Sequence, residues 1–186
     1  MFWLKNYYTM PKKLLLNSTT FNITLTRMAH QIIENHYPFN NTVMIGVQAK
    51  GVFFATQLHA KIITILGNTA INLGALDATF YRDDFRKKNN HLVPHSTTIN
   101  FAIEDKNVLL IDDVLFTGRT VRAAMDALLD YGRPKKVELV TMVDRRYLRD
   151  LPIEASYVGI TIDTTATQNV EVTWESNNAQ NEIYLT

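Results

Sequence analysis

Asp112 and Asp113 stand side by side after the apolar run 108–111, and a Thr117-Gly118-Arg119-Thr120 loop follows a few residues later. Adjacent like charges repel, so such a pair calls for a ligand rich in hydrogen-bond donors. Beyond the loop, Val121, Ala124, Met125, Leu128 and Leu129 share one helical face, and Gly132 then Pro134 end the pattern. A helix that starts near Thr120 leaves backbone N–H groups unpaired in its first turn and carries partial positive charge there, which is where a phosphate binds. Gly118 permits a tight turn and close backbone approach, while Thr117 and Thr120 add hydroxyl donors. Two carboxylates accept hydrogen bonds from a vicinal diol. A diol receptor beside a phosphate receptor describes one ligand, a ribose 5-phosphate.

Three rival readings are weaker. As surface charges near a helix terminus, each acid would contribute only about 0.3–1 kcal/mol. The string resembles the first strand of magnesium-binding response-regulator receivers, but there the acid pair lies near the N-terminus, and here it lies at 112 of 186. Gly46 and Gly51 have P-loop spacing, yet Val52 stands where the phosphate-binding Lys belongs.

The elements that would carry these residues alternate between strand and helix. Apolar residues at Phe21, Leu25, Met28, Ala29, Ile32 and Ile33 predict a helix over 19–35. Residues 42–51 read as a strand closing in a Gly-containing loop, and 52–66 as a helix stopped by Gly67 and Asn68. Strand character follows at 70–81, then a polar loop at 82–98 whose length suits a lid or binding loop. After the central strand, loop and helix come strands at 135–146, 157–162, 170–175 and 182–186. Fully apolar strands alternating with helices predict an α/β fold with a mainly parallel sheet covered on both faces. Ligands in such sheets bind beyond the carboxyl ends of the strands, where the acid pair falls.

At 186 residues, 46% hydrophobic and 20% charged, the chain is expected to form one globular domain. A net charge of +1 means that nucleic-acid contact requires a local patch. The absence of cysteine excludes disulfide scaffolds and thiolate chemistry. No run approaches the roughly 20 apolar residues of a membrane-spanning helix, and the N-terminus lacks the apolar core of a secretory signal. A cytoplasmic protein is expected.

The 108–134 string resembles the 5-phosphoribosyl-1-pyrophosphate (PRPP) motif of type I phosphoribosyltransferases. Together with "LTRMAHQIIE" (25–34), "DATFYRDD" (77–84) and "VDRRYLRDLPIEASYVG" (143–159), it is most similar to the pyrimidine-operon attenuation regulators that are also uracil phosphoribosyltransferases. The resemblance implies the type I fold with a small β hood and a flexible loop. It implies a single domain over 14–186, preceded by an extension at 1–13 expected to be disordered. Hypoxanthine-type enzymes, the runner-up, place a third acid three residues after the second; here Phe116 stands there, which argues for a pyrimidine.

By that resemblance, Asp112 and Asp113 hold the ribose hydroxyls of PRPP, and Thr117, Gly118, Arg119 and Thr120 its 5-phosphate. Ala49, Lys50 and Gly51 match the pyrophosphate loop, with Lys50 in place of the more usual Arg, and Arg82 joins them. Tyr81, Asp83 and Asp84 belong to the catalytic loop. Val143, Asp144 and Arg145 occupy the base-binding position, although Arg146 and Tyr147 replace the usual Gly and His in a segment one residue longer. Magnesium would arrive mainly on PRPP, without a direct protein ligand. The implied reaction converts uracil and PRPP to uridine monophosphate (UMP) and pyrophosphate, in a homo-oligomer. The implied regulatory partner is pyrimidine-operon leader RNA, on a surface that includes Thr26, Arg27 and His30. Glu154 and Ile160, where basic residues are usual, oppose that contact, and Asn35 stands where some members are basic. An enzyme and an RNA-binding regulator with vestigial catalysis both remain open at this level. His36, His59, His91, His95, Trp3 and Trp174 carry no assigned role.

Overall fold

The computed structural model describes residues 12–67, 70–83, 94–174 and 181–186. The expected extension therefore lies outside the described residues over 1–11, as do Trp3, Asp84, His91 and most of the expected 82–98 loop. The chain runs β1 (Lys13–Leu16), α1 (Ser18–His36), β2 (Thr42–Val47), α2 (Lys50–Leu66), β3 (Leu73–Leu76), β4 (Asn107–Leu115), α3 (Arg119–Leu128), β5 (Lys136–Arg146), β6 (Tyr157–Asp163), β7 (Val170–Thr173) and β8 (Glu182–Leu185).

Five strands form a parallel sheet in the order β3-β2-β4-β5-β6. From β2 the chain crosses to one side, into β3; from β4 it crosses to the other, into β5. Right-handed crossovers in opposite directions put their helices on opposite faces. Accordingly α2 packs with α1 over Met44, Leu109, Ile111, Val140 and Met142. On the other face α3 packs over Val43, Ile45, Val108, Leu110 and Leu139. This alternation along fully apolar strands is the signature of a sheet buried on both sides. Burial of each large side chain contributes about 1.5–3 kcal/mol. At Gly46 a Cβ would lie 2.8 Å from the Val52 Cα, so the missing side chain lets α2 descend onto β2. The reversal of strand order between β2 and β4 opens a crevice at their carboxyl ends.

A separate antiparallel sheet, β1-β8-β7, forms the small hood. Trp174 at the end of β7 meets Phe21 edge-on at 5.6 Å and stacks on Phe54 at 5.9 Å, which gives it a structural role joining hood, α1 and α2. No described helix is long and apolar enough to cross a membrane.

Three local expectations need correction. Strand structure within 70–81 is confined to β3, because the Asp77 carboxylate accepts from the Thr79 N–H and hydroxyl and turns the chain into a 3-10 turn at Thr79–Tyr81. The helix expected from 52 begins at Lys50. Met125 on α3 and Leu129 just past its end are 46% and 65% exposed; Val121, Ala123, Ala124, Ala127 and Leu128 form the buried face instead. Three alanines let α3 lie close to the sheet, and the 3-10 turn Leu129–Tyr131 rotates Leu129 outward.

His36 is a buried junction at the opposite end of the sheet from the acid pair. Its ring nitrogens lie 3.1 Å from the hydroxyls of Thr42 and Tyr157, and Nε2 is 3.4 Å from Glu138, which Lys136 also pairs. Burial pulls the imidazole below its ordinary value; Glu138 opposes this and Lys136 reinforces it. A base with a lowered folded pKa holds its proton less well folded than unfolded, so its stabilising contribution is present above 6.5 and lost as pH falls below it. Urea titrations between pH 5 and 8 should show stability dropping on the acid side, with a shallower drop in His36→Gln.

Candidate active site

The acid pair lies within β4 rather than at its end. Pairing with β5 continues past it through Val114↔Val143 and Leu115↔Asp144. Asp112 and Asp113 are only 7% and 9% exposed, and the Asp113 N–H donates to the Asp112 carboxylate at 3.0 Å. Burial, then the charge of Asp113, pushes the Asp112 carboxyl well above the ordinary range. Burial also raises Asp113, against the charge of Lys50, while Arg82 acts against the shift of Asp112. Two acids from β4, the Lys50 cation at the start of α2 and the Arg82 cation after β3 thus meet in the β2/β4 crevice.

Asp112, Arg82 and the 114–121 segment line a cavity of about 270 Å³. Gly118 precedes α3 with φ 89°, and a Cβ there would sit 3.1 Å from the Ile153 side chain. All four residues expected to hold the 5-phosphate border this cavity. Their backbone is the start of α3, with its unpaired N–H groups. The Arg119 side chain is engaged elsewhere, by Asp150 at 2.9 Å and by Asp83. Arg82 donates to the Thr120 hydroxyl at 2.9 Å. Tyr81, by contrast, donates to Asp130 beyond α3 and does not line the cavity.

Ala49 and Lys50 are exposed and Gly51 is buried. Because α2 begins at Lys50, the expected pyrophosphate loop is itself a helix N-terminus aimed at the crevice. The Gln48–Ala49 peptide is cis. A Cβ on Gly51 would come within 2.6 Å of the Ile111 carbonyl and 3.0 Å of the Asp112 Cα, so α2 and β4 touch backbone to backbone here.

At the end of β5, Val143 is buried and Asp144 pairs with Arg149. Arg145 is only 3% exposed; it donates to the Thr164 hydroxyl and to the Thr165 and Gln168 carbonyls, and its guanidinium lies 3.9 Å over the Phe116 ring. Arg145 therefore reaches the cavity through Phe116. The lengthened segment turns at Tyr147, which has φ 65° and is exposed.

On α1, Thr26 bonds the Asn22 carbonyl and His30 is exposed. Arg27 donates to Gln31 and to the Val158 and Gly159 carbonyls of β6. None of these three lines the cavity. Glu154 is exposed, and Ile160 packs against the core.

The chain matches the family model of the phosphoribosyl transferase domain over residues 13–177. It belongs to the phosphoribosyl transferase family. It is 44% identical over 174 residues to the bifunctional protein PyrR of Actinobacillus pleuropneumoniae serotype 5b (strain L20), covering 94% of this chain and 96% of that protein. The bifunctional protein PyrR of Desulfosudis oleivorans is 45% identical, over 91% of this chain and 93% of its own. The fold is also that of hypoxanthine phosphoribosyltransferase from Staphylococcus aureus, with a TM-score of 0.65 at 22% identity over 85% of this chain and 80% of that one. Sequence reasoning about this family member missed Arg149 and Asp150. Both lie in the segment that departs from the family pattern, and that departure was the only signal available.

Proposed function

We propose that the protein transfers the 5-phosphoribosyl group of PRPP to uracil, giving UMP and pyrophosphate. The observation that carries this reading is the single cavity bordered by Asp112 and the Thr117-Gly118-Arg119-Thr120 loop, with Asp113, Lys50 and Arg82 beside it. Displacement at the anomeric carbon develops positive charge on the ribose and negative charge on the departing pyrophosphate. Buried carboxylates suit the ribose side; Lys50, Arg82 and the N-terminus of α2 suit the pyrophosphate side. Magnesium would arrive on PRPP, because it keeps several waters and takes few protein ligands. When bound, the ion would offset charge on the pyrophosphate.

Uracil is favoured over a purine because Phe116, held under Arg145, stands where hypoxanthine-type enzymes carry an acid. The PyrR name of relatives above 40% identity favours the same choice. Purified protein incubated with PRPP and magnesium should form UMP from uracil and markedly less product from hypoxanthine or orotate in parallel. A preference for hypoxanthine, or no UMP, would sink this reading.

The word "bifunctional" in those names motivates a second reading, RNA binding through Thr26, Arg27 and His30. The commitment of Arg27 to two backbone carbonyls weakens it. A gel shift with pyrimidine-operon leader RNA should then require uridine nucleotide; binding that ignores both RNA sequence and nucleotide would count against it.

A further inference from the structure

Three consecutive carbonyls, running from the end of β4 into the phosphate loop, are all held by one segment outside them. Arg149 Nη1 donates to the Leu115 carbonyl at 3.2 Å and to that of Phe116. The next carbonyl, Thr117, accepts from the Asp150 and Leu151 N–H groups at 3.0 and 3.3 Å. Arg149 also donates to the Arg145 and Ile153 carbonyls at 2.9 and 3.2 Å and pairs with Asp144. Asp150 in turn pairs with Arg119, and Ile153 packs beneath Gly118. The segment 149–153 therefore underlies the whole loop, and one half-buried guanidinium is its hub.

We propose that Arg149 is the positioning residue of the phosphate loop, fixing the Leu115 and Phe116 carbonyls that lead into it away from the cavity so that the turn before α3 is preformed for an anion. The inference rests on the PRPP reading above. A carbonyl turned toward a bound phosphate would repel it; carbonyls tied back by Arg149 leave the donor-rich side of the turn to the ligand. All of Arg149's nitrogens already have protein partners, so it acts through the loop and not as a phosphate ligand. The role requires arginine, because its planar fork aims donors from three nitrogens at acceptors in fixed and different directions, whereas a lysine ammonium gathers its three donors at one point. Its bond to Asp144 also neutralises the carboxylate that β5 places opposite Leu115.

The test measures PRPP–magnesium binding by titration calorimetry, and steady-state kinetics, for wild type, Arg149→Met and Arg149→Lys. With Arg149→Met, Kd and KM for PRPP should rise by about tenfold to a hundredfold, while kcat at saturating PRPP and KM for uracil change far less. Arg149→Lys should fall between, and carries the test if Arg149→Met does not fold. Amides at 116–120 should exchange hydrogen faster in both variants, with 108–111 unchanged. Arg146→Gln, which removes an exposed cation bonded to Asp163, should leave PRPP affinity intact. Folded Arg149 variants with wild-type PRPP affinity would overturn this proposal alone. So would equal losses in both substrates, or the same loss in Arg146→Gln. A wild-type protein that does not bind PRPP would overturn the functional reading and this inference together.

Discussion

Asp112→Asn is expected to lower phosphoribosyl transfer by about 10²–10³-fold and, in the ligand-free protein at neutral pH, to raise thermal stability. The two effects share one cause. The Asp112 carboxyl is buried beside Asp113, and both conditions push it above its ordinary 3.8. A raised folded pKa means that the folded state holds this proton more tightly than the unfolded chain does. As pH climbs through 3.8 the unfolded chain ionises first, and stability falls until pH passes the folded value. An amide of the same shape removes that cost, so Tm at pH 7 should be higher in the variant. The Asn side chain is neutral, however, and cannot hold a ribose hydroxyl with a charge-assisted hydrogen bond. Adding PRPP with magnesium should therefore raise the wild-type Tm and leave the variant nearly unmoved. A variant that is less stable than wild type without ligand, yet equally active, would remove the ribose role from Asp112.

Gly51→Ala should lower transfer by about a hundredfold, for a different reason. The new methyl would meet backbone, the Ile111 carbonyl at 2.6 Å and the Asp112 Cα at 3.0 Å, and no flexible side chain can yield. Helix propensity favours alanine by about 0.5–1 kcal/mol, but overpacking of this kind costs about 1–3 kcal/mol. The clash wins, and α2 must lift from β4. That movement carries the Lys50 cation and the N–H groups of α2 away from the acid pair, and a displacement near 1 Å can cost about a hundredfold in rate. The measurement is kcat/KM for PRPP together with a denaturant midpoint. A Gly51→Ala protein with unaltered kinetics would show that the α2 terminus does not serve the reaction.

What was legible in the sequence was local. The acid pair, the loop and the helix after it form one continuous string, and the strand-helix alternation follows from periodicity that nearest neighbours enforce. Less legible were features set by partners far along the chain. β4 runs beyond the acid pair because β5 continues to pair with it at Val143 and Asp144, and nothing within 108–115 announces that. Helical spacing at Val121, Met125 and Leu129 is compatible with two faces, and only the sheet decides that the alanine-rich one is buried. β1 has four residues, too few for a period, and exists because β8 lies beside it. Phe116 was legible as a missing acid; that Arg145 stacks on it was not, because the stacked pair is brought together by the pairing of β4 and β5. Arg149 binds carbonyls more than thirty residues earlier, so one arginine among three in its segment gave no hint of its task.

The central claim, that the acid pair and the phosphate loop are two halves of one receptor, is tested most directly by a crystal structure of the protein with PRPP and magnesium. The ribose hydroxyls should lie within hydrogen-bond distance of Asp112 and Asp113, and the 5-phosphate should sit against the backbone N–H groups and hydroxyls of residues 117–120. A 5-phosphate bound anywhere else, or a ribose that turns its diol away from both carboxylates, would contradict the account.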